Sequence, residues 1–438
     1  MELELTVGAA KVDITPPVGT LLAGALRPRE SQGVGSRLYA SALVIEDEWG
    51  SRLALVALDL ISVDRGNAGD AAVRLASQAT GIPESHICLA CSHTHTGPYT
   101  RERQGEFLNP EWLDGLPGKI SQAVAEADRA RVPATMSRCR AFEFRVQHNR
   151  RMRFKDGRDV NAWLLKNQVN TDLQCLGSAG PIDPEIGMLA FEDAEGELIA
   201  VVYTFALHST SDFGTLLSAD YPGVVADRLA DAFGAQTVPL YLAGCCGNIN
   251  PNTGGGGHVE TGNRLADAMI PALESRSPVQ EPVVVDARKR AVAVPLRDLN
   301  VDQEERLEKC GWDPGSNQFF REGQARLRAE GIAQVETVVQ ALRIGDTGLI
   351  ALPGEVFVEW GLHVKRQGPF GWNYGIALSN DSLGYLITRD AWEAGGYEAL
   401  TSAGTFIDVA GVELMVGRSM AMLRQLHGDG PASPARPD

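Results

Sequence analysis

RLALVALDLISVDRGNAGDAAVRLASQATGIPESHICLACSHTHTGP, residues 52–98, changes its hydrophobic period twice within one short run. Residues 52–60 are apolar and β-type. Residues 67–80 follow a helical period, with Asn67 as the cap and Ala71, Val73, Leu75 and Ala79 facing inward. Residues 87–91 are apolar again and too few for a helix. Strand, helix, strand in this order is a crossover unit and predicts an α/β fold with helices flanking mixed sheets. The second strand opens into Ser92-His93-Thr94-His95-Thr96-Gly97-Pro98, at the rim where open α/β sheets bind ligands. Extended backbone sends residues i and i+2 to the same side, so His93 and His95 can share one cavity. In a chain with eight histidines chance also makes such pairs, and the heptapeptide alone leaves a metal role and an ordinary polar pair both open.

Upstream, residues 40–47 pair with 52–60 as a hairpin around Trp49-Gly50, ending at Asp59, and residues 3–14 form a strand stopped by Pro16 and Pro17. Downstream come a helix over 116–131, a strand over 143–146 and an irregular excursion over 155–180. A hairpin of 187–191 with 198–206 then delivers His208 just beyond an apolar run, as at His93. A helix over 221–233 carries Pro222 in its first turn. A strand over 239–243 leads into the Gly-rich loop holding Asn250, which lacks the Lys and Ser/Thr of a phosphate-binding loop. Helices are expected over 261–275 and 356–366, and a closing helix over 408–426. Residues 283–295 read as extended, 301–332 as charged and helix-prone, 341–352 as two strands leading to Glu355, and 376–378 as a brief strand. No repeat or linker is visible. The expectation is one catalytic domain over 1–427 and a disordered tail over 428–438.

A net charge of −16 argues against nucleic acid or an anionic membrane as the main partner. The basic cluster from Arg150 to Arg158 reads on its own as a solvated loop. Seven cysteines without a paired CxxC pattern read as buried free thiols in a reducing compartment. The N-terminus lacks a long apolar core and nothing reaches membrane-span length, so the chain is expected to be soluble and cytoplasmic.

His93, His208 and Glu355 each follow an apolar run, and two imidazoles with one carboxylate are a common ligand set for catalytic zinc. Such a zinc lowers the pKa of its water and polarises a carbonyl, chemistry that cleaves amides and esters. Ligands so far apart leave no local signature, and an acid near a helix start is also an ordinary dipole partner.

SHTHTGP (92–98), FALHSTS (205–211), GNINPN (247–252), LPGE (352–355) and GYLITR (384–389) with Tyr397-Glu398 occur in the order found in neutral/alkaline ceramidases. The opening GAAKVDITPP (8–17) resembles that family's start, and the similarity covers roughly residues 5–425. The resemblance implies that His93, His208, Glu355 and Tyr385 hold Zn2+. It implies that His95 is a histidine beside the metal that either supports a ligand or acts as acid/base, and that Arg150 and Tyr397 line the pocket and steady the carbonyl oxygen. It further implies hydrolysis of a C–N amide bond in a small N-acyl substrate by zinc-bound water, within lipid metabolism. Asn250 stands where the family carries Ser in Gly-Asp-x-Ser-Pro-Asn; it cannot be a nucleophile and is read as a hydrogen-bonding residue. Since the sequence ends soon after the catalytic region, the secreted enzymes' C-terminal immunoglobulin-like domain is expected to be missing and the natural substrate to be more soluble than ceramide. An esterase or lactonase on the same fold, or a non-catalytic ligand-binding homologue motivated by Asn250, are the competing readings.

Overall fold

The computed structural model describes residues 5–27, 29–101, 109–167, 174–252 and 257–429. Three of its sheets repeat one order of elements. In the first, Thr6–Asp13, Tyr39–Glu46 and Arg52–Leu58 pair antiparallel in turn, and Ile87–Cys91 joins parallel to Arg52–Leu58. In the second, Thr135–Phe142, Glu185–Glu192 and Leu198–Phe205 pair antiparallel, and Val238–Ala243 joins parallel. The third does the same with Val285–Pro295, Gln334–Ile344, Thr347–Ala351 and Trp372–Ile376. A parallel neighbour cannot be reached by a tight turn, so each crossover contains a helix: Asp70–Thr80, Asp220–Phe233 and Val358–Gln367. One more helix follows each fourth strand: Pro110–Arg129, His258–Glu274 and Val409–Gly428. The fold is therefore mixed α/β as expected, and three of its sheets share one topology.

Strand alternation explains the core. Leu53, Leu55 and Ala57 face a cluster shared by all three sheets, with Phe191, Val202, Leu240, Leu342, Leu349 and Ile376. Ala54, Val56 and Leu58 face the other way, against a layer that includes Ile120 and Val124 of a covering helix. With both faces covered, the strands are apolar at nearly every position rather than at alternate ones.

The fourth strands of the three sheets end at one place. Cys91 N–H donates to Leu378 O at 3.1 Å, Ala377 N–H to Ala243 O at 2.8 Å and Asn380 N–H to Leu89 O at 2.9 Å. The loops beyond the carboxyl ends of the third and fourth strands thus share one rim, the position at which α/β sheets bind ligands.

Several expectations shift locally. The first crossover helix begins at Asp70 after a single π turn, Arg65–Gly69, that contains Asn67; its cap position is Gly69. It buries Ala72, Val73 and Ala76, while Leu75 and Ala79 are exposed. Residues 143–146 bend; the strand is Thr135–Phe142, whose polar alternation hid it. The helix expected at 116 starts at Pro110, where the Asn109 side chain accepts from Trp112 N–H. The excursion contains a small sheet in which Arg151–Phe154 lies between Asp159–Asn161 and Cys175–Ser178. All seven cysteines are free thiols, six of them buried, and Cys175 is exposed. The closing helix runs to Gly428, into the segment read as a tail, and residues 430–438 lie outside the described residues. No described helix is long and apolar enough to cross a membrane.

Candidate metal centre

His93 follows the fourth strand of the first sheet, and its backbone sits at φ 63°. A histidine in the left-handed region costs about 1–3 kcal/mol and persists only where its surroundings fix it. Here His93 N–H donates to Leu60 O at 2.9 Å, and its ring Nδ1 lies 2.8 Å from Ile61 O. His208 follows the third strand of the second sheet, wholly buried, with Nδ1 2.7 Å from Cys246 O. A carbonyl only accepts, so both rings carry a proton on Nδ1 and turn Nε2 towards the site. Both Nε2 atoms meet one atom, Glu355 Oε2, at 3.3 Å from His93 and 3.1 Å from His208.

Glu355 lies beyond the third strand of the third sheet, in a two-residue parallel ladder that pairs Glu355 with Tyr385 and Val356 with Leu386. Residues opposite each other in a ladder share a face, which brings the Tyr385 ring beside the carboxylate. Two ring nitrogens and a carboxylate oxygen converging in this way offer the donor atoms a cation would need. His95 adds a third imidazole: ring nitrogens of His93, His95 and His208 lie within 4.8 Å of one another and could hold a metal ion. The His95 ring differs from the other two, because neither of its nitrogens has a hydrogen-bond partner. In His93 and His208 the second ring nitrogen is held by a carbonyl, as it almost always is in metal-ligating histidines, and in His95 neither nitrogen is held.

Burial opposes ionisation of Glu355, but His93 and His208 outweigh it and hold the carboxyl well below its usual range. Burial, with Arg150 beside it, lowers His208 to about 4, and burial together with the neighbouring histidines lowers His95 as well. Burial thus favours the neutral form of His208 and His95, the form that binds metal. Burial pushes the Tyr385 phenol well above its ordinary value, partly offset by Arg150, and raises Tyr397 to about 12.

His93, His95, Glu355, Tyr385 and Tyr397 line a pocket of about 450 Å³, whose outer wall includes Leu26, Phe319, Leu327 and Phe406. The Tyr385 and Tyr397 rings meet edge to face, 5.4 Å apart. Arg150 is brought to the site but does not line this pocket, contrary to the expectation. Nor does it belong to a solvated loop: Arg150 and Arg151 are 3% and 2% exposed. Its guanidinium lies beneath the pocket, Nη1 3.4 Å from His208 Nε2 and donating to Asn250 Oδ1 at 3.1 Å. Its carbon stands 5.1 Å from the Tyr385 ring centroid. Asn250 therefore takes part in holding Arg150.

Three contributors had no visible signal in the sequence. Ile61 O and Cys246 O are main-chain atoms. Gly24, at φ +82°, leaves room for the His95 ring: a Cβ there would lie 2.2 Å from Nδ1. Replacing Gly24 by Val is expected to displace that ring and lower kcat about 10²-fold while metal content holds, because misplacement by about 1 Å costs that much. Steady-state kinetics with elemental analysis checks it.

The model for "Neutral/alkaline non-lysosomal ceramidase, N-terminal" matches residues 5–266. The neutral ceramidase of Pseudomonas aeruginosa is 25% identical over 97% of this chain and 73% of its own length. That of Drosophila melanogaster is 24% identical over 56% of this chain and 36% of its own length. The crystal structure of the Pseudomonas aeruginosa neutral ceramidase superposes with a TM-score of 0.73 at 20% identity, covering 100% of this chain and 77% of that one.

Proposed function

The chain belongs to the neutral/alkaline non-lysosomal ceramidase family, and on that premise we propose that it is a zinc-dependent hydrolase of a C–N amide bond in a small N-acyl lipid. The observation that carries this reading is the meeting of two Nδ1-protonated imidazoles on one oxygen of Glu355. His93, His208 and Glu355 would hold the ion, with Tyr385 as the fourth ligand. Zinc held there supplies Lewis acidity, activating a water and polarising the acyl carbonyl.

The remaining work falls to the chain's own side chains. In the overall reaction water oxygen bonds to the acyl carbon, the C–N bond breaks and the amine nitrogen gains a proton. His95, neutral and with both ring nitrogens unpartnered, accepts a proton and returns it to the leaving amine. The Tyr385 and Tyr397 hydroxyls face the carbonyl oxygen. Arg150 stands behind Tyr385, where its fixed charge favours the negative charge that develops on that oxygen. Asn250, a carboxamide, cannot attack; its contact with Arg150 is consistent with attack by water.

Purified protein is expected to contain one zinc per chain and to hydrolyse N-acyl amides faster than matched esters, with activity lost to a chelator and restored by zinc. Turnover of esters or lactones alone would replace the amide with an ester reading. Stoichiometric zinc without turnover across the panel would favour the ligand-binding reading that Asn250 motivates.

A further inference from the structure

Glu398 is wholly buried, yet no step above uses it. Its Oε1 accepts from Arg150 Nε at 2.8 Å and from Asn161 Nδ2 at 2.7 Å, and its Oε2 accepts from Arg151 Nη1 at 2.7 Å. Arg151 Nη2 in turn donates to Asp159 Oδ2 at 2.9 Å, and Asp159 also pairs with Arg153 at the protein's edge. Charges thus alternate from Arg153 through Asp159, Arg151 and Glu398 to Arg150, the last of them against His208 and Tyr385. Among these groups Arg150 alone keeps a buried nitrogen, Nη2, without a hydrogen-bond partner.

We infer that Glu398 is a positioning residue: by gripping Arg150 through Nε, it fixes where the guanidinium charge falls beneath Tyr385 and leaves the far edge of the group for the site. A buried carboxylate with three donors is rigid, because every movement breaks a charge-assisted hydrogen bond in a medium where nothing replaces it. Burying two arginines solely for stability is a poor use of charge, since well-packed apolar residues serve as well or better. The neighbouring loop is built to hold Glu398 still. Arg297 donates to Glu398 O at 3.1 Å, to Leu400 O at 2.9 Å and to Ile407 O at 3.1 Å. Tyr397 N–H donates to Asn161 Oδ1 at 3.1 Å, so Asn161 ties the same segment at two points.

The inference rests on the hydrolase reading for its kinetic consequence but not for its geometry, and the test separates the two. Glu398→Asp keeps the charge and withdraws it from Arg150. In protein with labelled arginine, one side-chain Nε–H, assigned by its loss in Arg150→Met, is expected to exchange slowly with solvent in the wild type and fast in Glu398→Asp. This is measurable whether or not any amide is turned over. Kinetically, Glu398→Asp is expected to lower kcat about tenfold or more with KM and zinc content little changed, and to add no loss in the Arg150→Met background. An equal loss in both backgrounds, or an unchanged Nε–H in Glu398→Asp, would overturn the inference. Should Glu398→Asp fail to fold, Glu398→Gln, of the same length, carries the same cycle.

Discussion

His208→Ala is expected to leave a folded protein that no longer retains zinc in stoichiometric amount, with turnover reduced by at least about 10³-fold. The size follows from what is removed: Lewis-acid assistance is worth several kcal/mol, and each 1.4 kcal/mol is a factor of ten. His208 is the sharper choice than His93, because its backbone is in no strained conformation and its Nε2 lies nearer Glu355. The substitution also leaves Cys246 O without its ring partner, a buried loss of about 1–3 kcal/mol. Urea unfolding should show that cost, and elemental analysis the absence of metal. Full activity in a metal-free His208→Ala protein would end the proposed chemistry. His95→Ala supplies the contrast: zinc is expected to stay while turnover falls, because neither nitrogen of that ring is anchored as the two ligand rings are.

The difference between those two histidines shows how far the sequence could be read. His93, His208 and Glu355 stood out because each comes just after an apolar strand, and carboxyl ends of strands are where α/β folds gather ligands. Which ring nitrogen faces the site depends on the atom opposite Nδ1, and Ile61 O and Cys246 O are carbonyls that any residue could provide. The fold class was legible from the strand, helix, strand order of 52–98. The threefold order was not, because each unit keeps its topology while its connections differ in length and residues. The first crossover helix shows a finer limit. Its apolar positions allowed two faces; packing kept Val73 from the expected set and buried Ala72 and Ala76 in place of Leu75 and Ala79.

Arg150 was the hardest to place, since beside Arg151, Arg153 and Arg158 it looks like one charge among several on a wet surface. Its partner Glu398 is 248 residues away, and only the fold brings them together. That burial makes a second large effect predictable. Arg150→Met, which roughly keeps the volume packed against the Trp163 and Tyr385 rings, is expected to lower kcat about 10²-fold, the scale of losing one fixed electrostatic contributor to oxyanion stabilisation. Zinc content should be unchanged, because the arginine is no ligand and its removal takes a positive charge away from the site. Stability should fall by about 1–3 kcal/mol, not by the larger amount typical of orphaning a buried ion, because Glu398 keeps Arg151 and Asn161. Arg150→Lys should recover little, since an ammonium cannot bridge Glu398 and Asn250 with the fixed fork of a guanidinium. A lysine variant with near wild-type kcat would show that charge alone suffices and that the orientation of the guanidinium carries no part of the rate.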